Sequence, residues 1–466
     1  MTAIESEAHE LDFLHWMVFG TRAGVVGGTP ITFPYLESRI PHAFDDAEVV
    51  SRLVLKAVRM AGRLTPWAAR GLVWLCRNRS RDFPAVFHST VNSAEELLVF
   101  ASTYSRSHAH WGKMAKEHIA QWLELRLDEV EVAAHRKYHR RHRHSLADLV
   151  RLAHPTFGGR KSSSVDWLLG RYTPGQNSFL DRMRWLSDPA LPRELRLEVL
   201  GETRVPSPLA EMAAGSDLDL WHAAIPSLSV EALLAGFPRR AGREVTQRAV
   251  LARLRELVPL NVPRLLRAAW KVPRVPETLP FREALGQLLW EAAKAIPRPP
   301  GRTLVLIDRS ASCPPAFFRE ALAAAAFGPS RLYLVDDVVE EASGRPMDLL
   351  QNLGAFAPRG GSGLHKPLQL TLASRDFYDR IVVFAKGYPF LLPEVGPTLA
   401  ALLERYRESV NPHCLWTSVV PGPLDRIPGL PTHRDRLVFG AEWVQPVLPW
   451  LRSAEAILSE KENVSK

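Results

Sequence analysis

The apolar periodicity of this chain changes once, at Arg298-Pro-Pro-Gly301, and that break constrains the fold more than any other feature. Upstream, from Asp45 to Pro297, apolar residues recur at spacings of three and four between short interruptions at Pro, Gly or Ser. Such spacing puts them on one face of successive helices. Val49, Leu53, Leu55, Val58 and Met60 open the series; Leu72, Val73 and Leu75, then Leu97, Leu98, Phe100 and Ala101, then Ile119, Trp122 and Leu123 continue it. Ser93 with Glu96 and Ser145 with Asp148 have capping-box spacing, in which a hydroxyl and a carboxylate satisfy the free amides of a first turn. Helices of about 10 to 15 residues cannot bury their faces singly, so the pattern predicts a HEAT-like solenoid or ring of stacked helical pairs.

Downstream of the break the texture is that of an α/β domain. Thr303-Leu-Val-Leu-Ile307, Arg331-Leu-Tyr-Leu-Val335, Arg380-Ile-Val-Val-Phe384 and Cys414 to Val420 read as short apolar strands. Helical patterns at Ala316 to Phe327, Leu399 to Tyr406 and Trp443 to Leu458 alternate with them. Continuous apolar strands between helices predict a doubly wound, mainly parallel sheet covered on both faces. The expected organisation is an N-terminal extension over 1–44, a helical-repeat domain over 45–297 and an α/β domain over 298–466.

Several classes of protein are excluded by composition. No stretch reaches the roughly 18 uncharged apolar residues of a membrane span, and MTAIESEAHELD lacks the basic-then-apolar order of a signal peptide. Cys76, Cys313 and Cys414 are isolated, so they form neither a disulfide framework nor a CxxC zinc site. A cytoplasmic protein without a membrane partner is expected. Charge is split along the chain: residues 1–300 carry 41 Lys+Arg against 32 Asp+Glu, whereas 301–466 carry 18 of each. Of the cations 48 are Arg and 11 Lys, and Arg presents a planar fork suited to phosphate. A GC-rich coding sequence would produce the same bias, so position must carry any nucleic-acid argument.

Immediately after the first strand of the sheet stands Asp308-Arg-Ser310-Ala-Ser312, with Gly360-Gly361-Ser362 on a later loop. One carboxylate and two hydroxyls at the carboxyl end of a parallel strand make an oxygen-rich half-shell suited to Mg2+, and Ser362 offers another hydroxyl from its loop. The motif resembles the metal-ion-dependent adhesion site of von Willebrand factor A domains, in which a second Asp completes the site. That Asp follows the strand that here reads Val382-Val-Phe384, and this chain continues Ala385-Lys386-Gly387. An ammonium about 4 Å from Mg2+ at an effective dielectric near 20 would be repelled by roughly 8 kcal/mol. Lys386 is therefore read as the counter-charge to Asp308 in a degenerate site that needs no cofactor. The rival reading has Asp336 or Asp337 supplying the missing oxygen to Mg2+, with Lys386 turned to solvent.

The densest cationic run is His135-Arg136-Lys137-Tyr138-His139-Arg140-Arg141-His142-Arg143-His144, five Lys/Arg and four His in ten residues. Donors around more than half of a helix exceed what solubility needs and suit phosphate neutralisation, against the plainer reading of a solvated charged helix. HRKYH lacks the Glu of an HExxH zinc helix. With Trp111-Gly-Lys113-Met-Ala-Lys116, Ile119-Ala120, Trp122, Ser145, Asp148-Leu149, Arg151-Leu152 and His154-Pro155, this run resembles the TROVE module of Ro ribonucleoproteins. The family's pattern is similar to WGRxxRxAIxxW, then KYRxR, then SHxDLLRLSHP. With the A domain that follows, the resemblance covers most of the chain.

The resemblance implies a ring of helical repeats closed by the A domain. It further implies small noncoding Y RNA on a basic outer surface and single-stranded RNA 3′ ends in a central hole. Lys113, Lys116, Lys137, Arg141 and Arg151 fall on cationic positions of the pattern and His154 on its final His. Arg136, Arg140, Arg143, His144 and the loop pair Arg160-Lys161 complete the expected RNA-binding set. The family's SHxD histidine is Leu146 here, which removes a polar contact. Arg239 to Arg255 could extend a phosphate track or pair with Glu244 and Glu256, and the Trp residues suit core positions better than stacking platforms.

Function follows as an expectation: a noncatalytic RNA-binding protein of RNA quality control or processing. No GxSxG, HExxH or nucleotide-binding glycine signature is present, so an exoribonuclease or other RNA-processing partner would supply any chemistry. The alternative is a protein-assembly scaffold of helical repeats plus A domain with no RNA role.

Overall fold

The computed structural model describes residues 47–107, 110–135, 143–157, 162–203, 205–237, 244–257, 275–294, 300–314, 329–345, 360–385 and 396–419, strand residues 23–26, 29–32 and 436–438, and single positions between them. Its contacts divide the chain into a unit Asp46–Leu257 and a second unit of Met1–Asp45 with Val258–Lys466. Residues from Val258 onward therefore group with the sheet, ahead of the change in texture at Arg298.

In the first unit, helix follows helix: α1 (Ala47–Ala61), α2 (Pro66–Arg77), α3 (Phe83–Thr90), α4 (Ala94–Ser107), α5 (Lys113–Arg126), α6 (Glu129–His135) and α7 (Leu146–Ala153). The series continues with α8 (Ser162–Leu168), α9 (Ser178–Leu186), α10 (Arg193–Glu202), α11 (Ser207–Ala214), α12 (Leu218–Ala224), α13 (Val230–Gly236) and α14 (Glu244–Glu256). α1 packs on α2 and α3, α2 on α4, α5 on α7, and α12 on α10 and α11. Burial against near neighbours in sequence is the packing of stacked helical repeats.

Local chemistry sets the helix starts. Thr65 accepts from the Ala68 amide at 3.0 Å, with Pro66 at the first helical position of α2. Both capping boxes form: Ser93 N donates to Glu96 Oε2 at 3.0 Å and Glu96 N to Ser93 Oγ at 3.3 Å, and the Ser145–Asp148 pair repeats the pattern at 2.9 and 3.1 Å. The stripe of α1 differs from its sequence reading. Val50, Leu53, Val54, Ala57 and Met60 are buried while Leu55 is exposed, because the run 50, 53, 54, 57 keeps closer to one helical face.

The second unit holds an eight-stranded sheet of order β2-β1-β8-β7-β6-β3-β4-β5. Its strands are β1 (Ala23–Val26), β2 (Thr29–Thr32), β3 (Thr303–Asp308), β4 (Arg331–Val335), β5 (Val339–Ala342), β6 (Arg380–Phe384), β7 (Leu415–Val419) and β8 (Arg436–Val438). From β4 through β3, β6 and β7 to β8 neighbours run parallel, whereas β5 and the β1–β2 hairpin add antiparallel edges. The edge strands carry no long apolar run, which is why the sequence pattern does not mark them. Every residue of β3 and of β6 is buried, as a sheet covered on both faces requires. On one face Leu304, Leu306, Ile381, Val383 and Trp416 pack with α16 (His365–Ser374) and α17 (Gly396–Ser409), after α15 (Leu279–Lys294) earlier in the unit. The chain leaves β3 toward β4 on one side and β6 toward β7 on the other, so the order reverses between β3 and β6. Open α/β sheets bind ligands at the carboxyl ends of such strands. The expected helix at Trp443 to Leu458 lies outside the described residues.

Candidate functional sites

Two constellations emerge, one in each unit. The first is the cationic surface of α5, α7 and the residues before α7. Lys113 and Lys116 stand in the first turns of α5; Lys113 is 89% exposed and lies 3.6 Å from Glu117 one turn on. Arg151 on the neighbouring α7 meets Asp148 at 3.4 Å, both side chains exposed. Such pairs are worth about 0.3–0.5 kcal/mol, so a phosphate can displace the carboxylate at little cost.

Arg143 is docked: its backbone N donates to Ser102 Oγ at 3.2 Å and its NH1 to the Ser105 carbonyl at 3.2 Å, placing a cation at the C-terminal end of α4. His144 stands edge-on to Trp111 at 5.7 Å, and Trp111 stacks on Tyr104 at 4.7 Å and 11°. Burial pushes the His144 pKa down, against the opposing pull of Asp148. Asp148 is held below the usual carboxylate range because bonds from the Ser145 amide and hydroxyl outweigh its partial burial. His154 closes α7 in the left-handed region (φ 50°, ψ 53°), where glycine is the usual residue, and its side chain is exposed. Leu146, at the position of the family's histidine, is 2% exposed and part of the core. Arg136, Lys137, Arg140, Arg141, Arg160, Lys161 and Lys386 lie outside the described residues.

The second constellation sits at the carboxyl end of β3. Asp308 is fully buried, and Ser310 donates to it twice, from N to Oδ1 and from Oγ to Oδ2, each at 3.1 Å. Ser312 Oγ joins Ser310 Oγ at 2.9 Å. Ser362 is brought in by the glycine loop: Ala311 N donates to the Gly360 carbonyl at 2.9 Å and Gly361 N to Asp337 Oδ2 at 2.9 Å. A Cβ on Gly361 would stand 2.7 Å from Asp337 Oδ1 and one on Gly363 2.6 Å from the Asp336 carbonyl, so only glycine allows this approach. The Ser362 hydroxyl is buried beside Asp308, stabilises its ionised form, and meets no protein partner in hydrogen-bond geometry. Burial nevertheless pushes the Asp308 pKa up to about 6.

Arg309 has no place in the sequence reading, yet it is fully buried beside this site. Its Nε donates to Asp336 Oδ2 at 2.9 Å and its NH1 to Glu340 at 2.6 Å. The only sequence signal was a cation directly following Asp308 at the end of an apolar strand.

No protein-family model and no curated protein sequence matches the chain. A crystal structure of the Deinococcus radiodurans Ro (RSR) protein does, with a TM-score of 0.70 over 96% of this chain and 100% of that one, at 17% identity. The chain has the fold of that Ro protein. A helical-repeat unit together with a von Willebrand A-like sheet unit is therefore its architecture.

The A-like unit of a Ro fold implies a divalent ion at Asp308, and the described residues alone do not complete a site for one. Asp308 is the single carboxylate of the half-shell, and both its oxygens already accept from Ser310. The two acidic residues of the rival reading are engaged: Asp336 by Arg309 and by Val338 N at 2.7 Å, Asp337 by Gly361 N. Among the described residues no group of three or more His, Cys, Asp or Glu could hold a metal ion. No described helix is long and apolar enough to cross a membrane.

Proposed function

We propose that the chain is a noncatalytic, cytoplasmic RNA-binding protein of the Ro kind. It holds a small noncoding RNA on the cationic surface around α5 and α7 and accepts single-stranded 3′ ends of structured or misfolded RNA, which an RNA-processing enzyme such as an exoribonuclease then handles. The observation that carries this reading is the coincidence of charge with fold. Asp46–Leu257 has 32 Lys+Arg against 23 Asp+Glu, whereas the remainder of the chain has 27 of each. The whole cationic excess thus belongs to the helical-repeat unit of a Ro fold. Lys113 and Arg151 there are held by weak exposed pairs, and Arg143 is presented from a helix end.

Fluorescence anisotropy with a small stem-loop RNA bearing a single-stranded 3′ tail tests this. Phosphate contacts release counterions, so for six or more contacts affinity should fall by roughly 1000-fold or more between about 50 and 200 mM salt. K113A/R151A should weaken binding at every RNA sequence alike. Affinity indifferent to salt would move the protein to the scaffold reading.

The degenerate A-like site belongs to the same proposal: with Lys386 where the second carboxylate stands in A domains, the crevice holds no Mg2+. Calorimetry should detect Mg2+ binding in K386D and none in the unaltered protein. A K386D chain that gains nothing would remove Lys386 from the explanation.

A further inference from the structure

Outside both sites, α3 and α5 hold an imidazole pair in the helical unit. His88 Nε2 stands 3.3 Å from His118 Nδ1, and Gln121 Oε1 lies 3.4 Å from the same His88 nitrogen. His118 and Gln121 are three residues apart on α5 and so share a face, and His88 approaches from α3. The ring planes are held by aromatic neighbours. Phe83 meets His118 edge-on at 5.3 Å and 79°, and Phe87 meets His88 at 5.3 Å and 90°.

The two helices are also bolted together beside the pair. Trp122 Nε1 donates to the Val91 carbonyl at 2.8 Å; Arg126 NH1 donates to the same oxygen at 2.7 Å and to Asn92 Oδ1 at 2.9 Å, while its NH2 reaches the His88 carbonyl at 2.9 Å. These bonds satisfy carbonyls at the C-terminal end of α3 with groups from α5 and fix the spacing of the imidazoles.

We propose that His88 Nε2, His118 Nδ1 and Gln121 Oε1 bind a divalent transition-metal ion of the Zn2+ class, with water in the remaining position. Two nitrogens each about 2.05 Å from a tetrahedral ion stand about 3.3 Å apart, the separation found here. Imidazole and amide oxygen suit Zn2+, Ni2+ or Cu2+ and not the hard Mg2+ of A domains, so this site is chemically separate from Asp308. The ligand set itself, two imidazoles and an amide oxygen, includes no carboxylate, so its affinity should be moderate.

The test uses the full chain after chelator treatment, with Zn2+ followed by calorimetry and Co2+ by its visible absorption. The unaltered protein should bind Zn2+, show the intense absorption of tetrahedral Co2+, and melt at higher temperature with Zn2+ present. H88Q and H118Q should each weaken Zn2+ at least tenfold and abolish the Co2+ band, whereas H139Q/H142Q in the histidine-rich basic run should change neither. Zn2+ binding that survives H88Q and H118Q, or that vanishes in H139Q/H142Q, would overturn the assignment. Should either histidine variant fail to fold, Q121L on the exposed side of α5 replaces it, and an unchanged Co2+ spectrum there would be equally fatal.

Discussion

Arg309 decides the electrostatics around the carboxyl end of β3. Its guanidinium is fully buried and sits between Asp336, itself 2% exposed, and Glu340. R309M would keep most of the volume and leave Asp336 charged without its cation, a change that costs about 3–5 kcal/mol when a buried pair loses one member. Urea unfolding should show that loss; a change under about 1 kcal/mol would mean that water reaches Asp336. Asp308 behaves in the opposite sense to a salt-bridged acid. Burial raises its pKa from the ordinary 3.8 to about 6. Because the folded-state value is the higher one, the stability it contributes is complete below about pH 4 and is lost as pH rises through about 6. The melting temperature of the native protein should therefore rise more than that of D308N on going from about pH 7.5 to about pH 5. Equal rises in the two proteins would show that Asp308 is hydrated.

At the scale of elements, caps and close approaches set what the chain does locally. Ser145 starts α7 through a reciprocal box with Asp148, and the same helix carries Arg151 and ends at His154. S145A should cost about 1 kcal/mol of stability, read as a lower denaturant midpoint at unchanged slope. This box, and strands β3, β4 and β6, were legible in the sequence because each rests on contiguous residues: a four-residue cap or a five-residue apolar run. β5 and β8 were not, since Val339-Glu-Glu-Ala342 and Arg436-Leu-Val438 become strands only by pairing with a neighbour. The same holds for the sites. Asp308, Ser310 and Ser312 lie within five residues and were readable together, whereas Arg309 finds Asp336 27 residues on and His88 finds His118 at a distance of 30. Leu55 shows the converse error, an apolar residue placed in the stripe by its type and left exposed by its angle on the helix.

For the whole molecule, charge and architecture coincide: the helical-repeat unit holds the entire cationic excess and the sheet unit is balanced. On the proposed reading K386D, in the balanced sheet unit, should leave RNA affinity within about twofold while changing Mg2+ calorimetry. On the proposed reading this Ro fold works on RNA through its basic segment. The most direct measurement is purification from the native cell at moderate salt, with sequencing of the RNA that accompanies the protein and of the RNA that accompanies K137A/R140A/R141A/R143A. A discrete small RNA enriched with the native protein and lost from the variant is the predicted result; protein partners without RNA, the same for both, would contradict it.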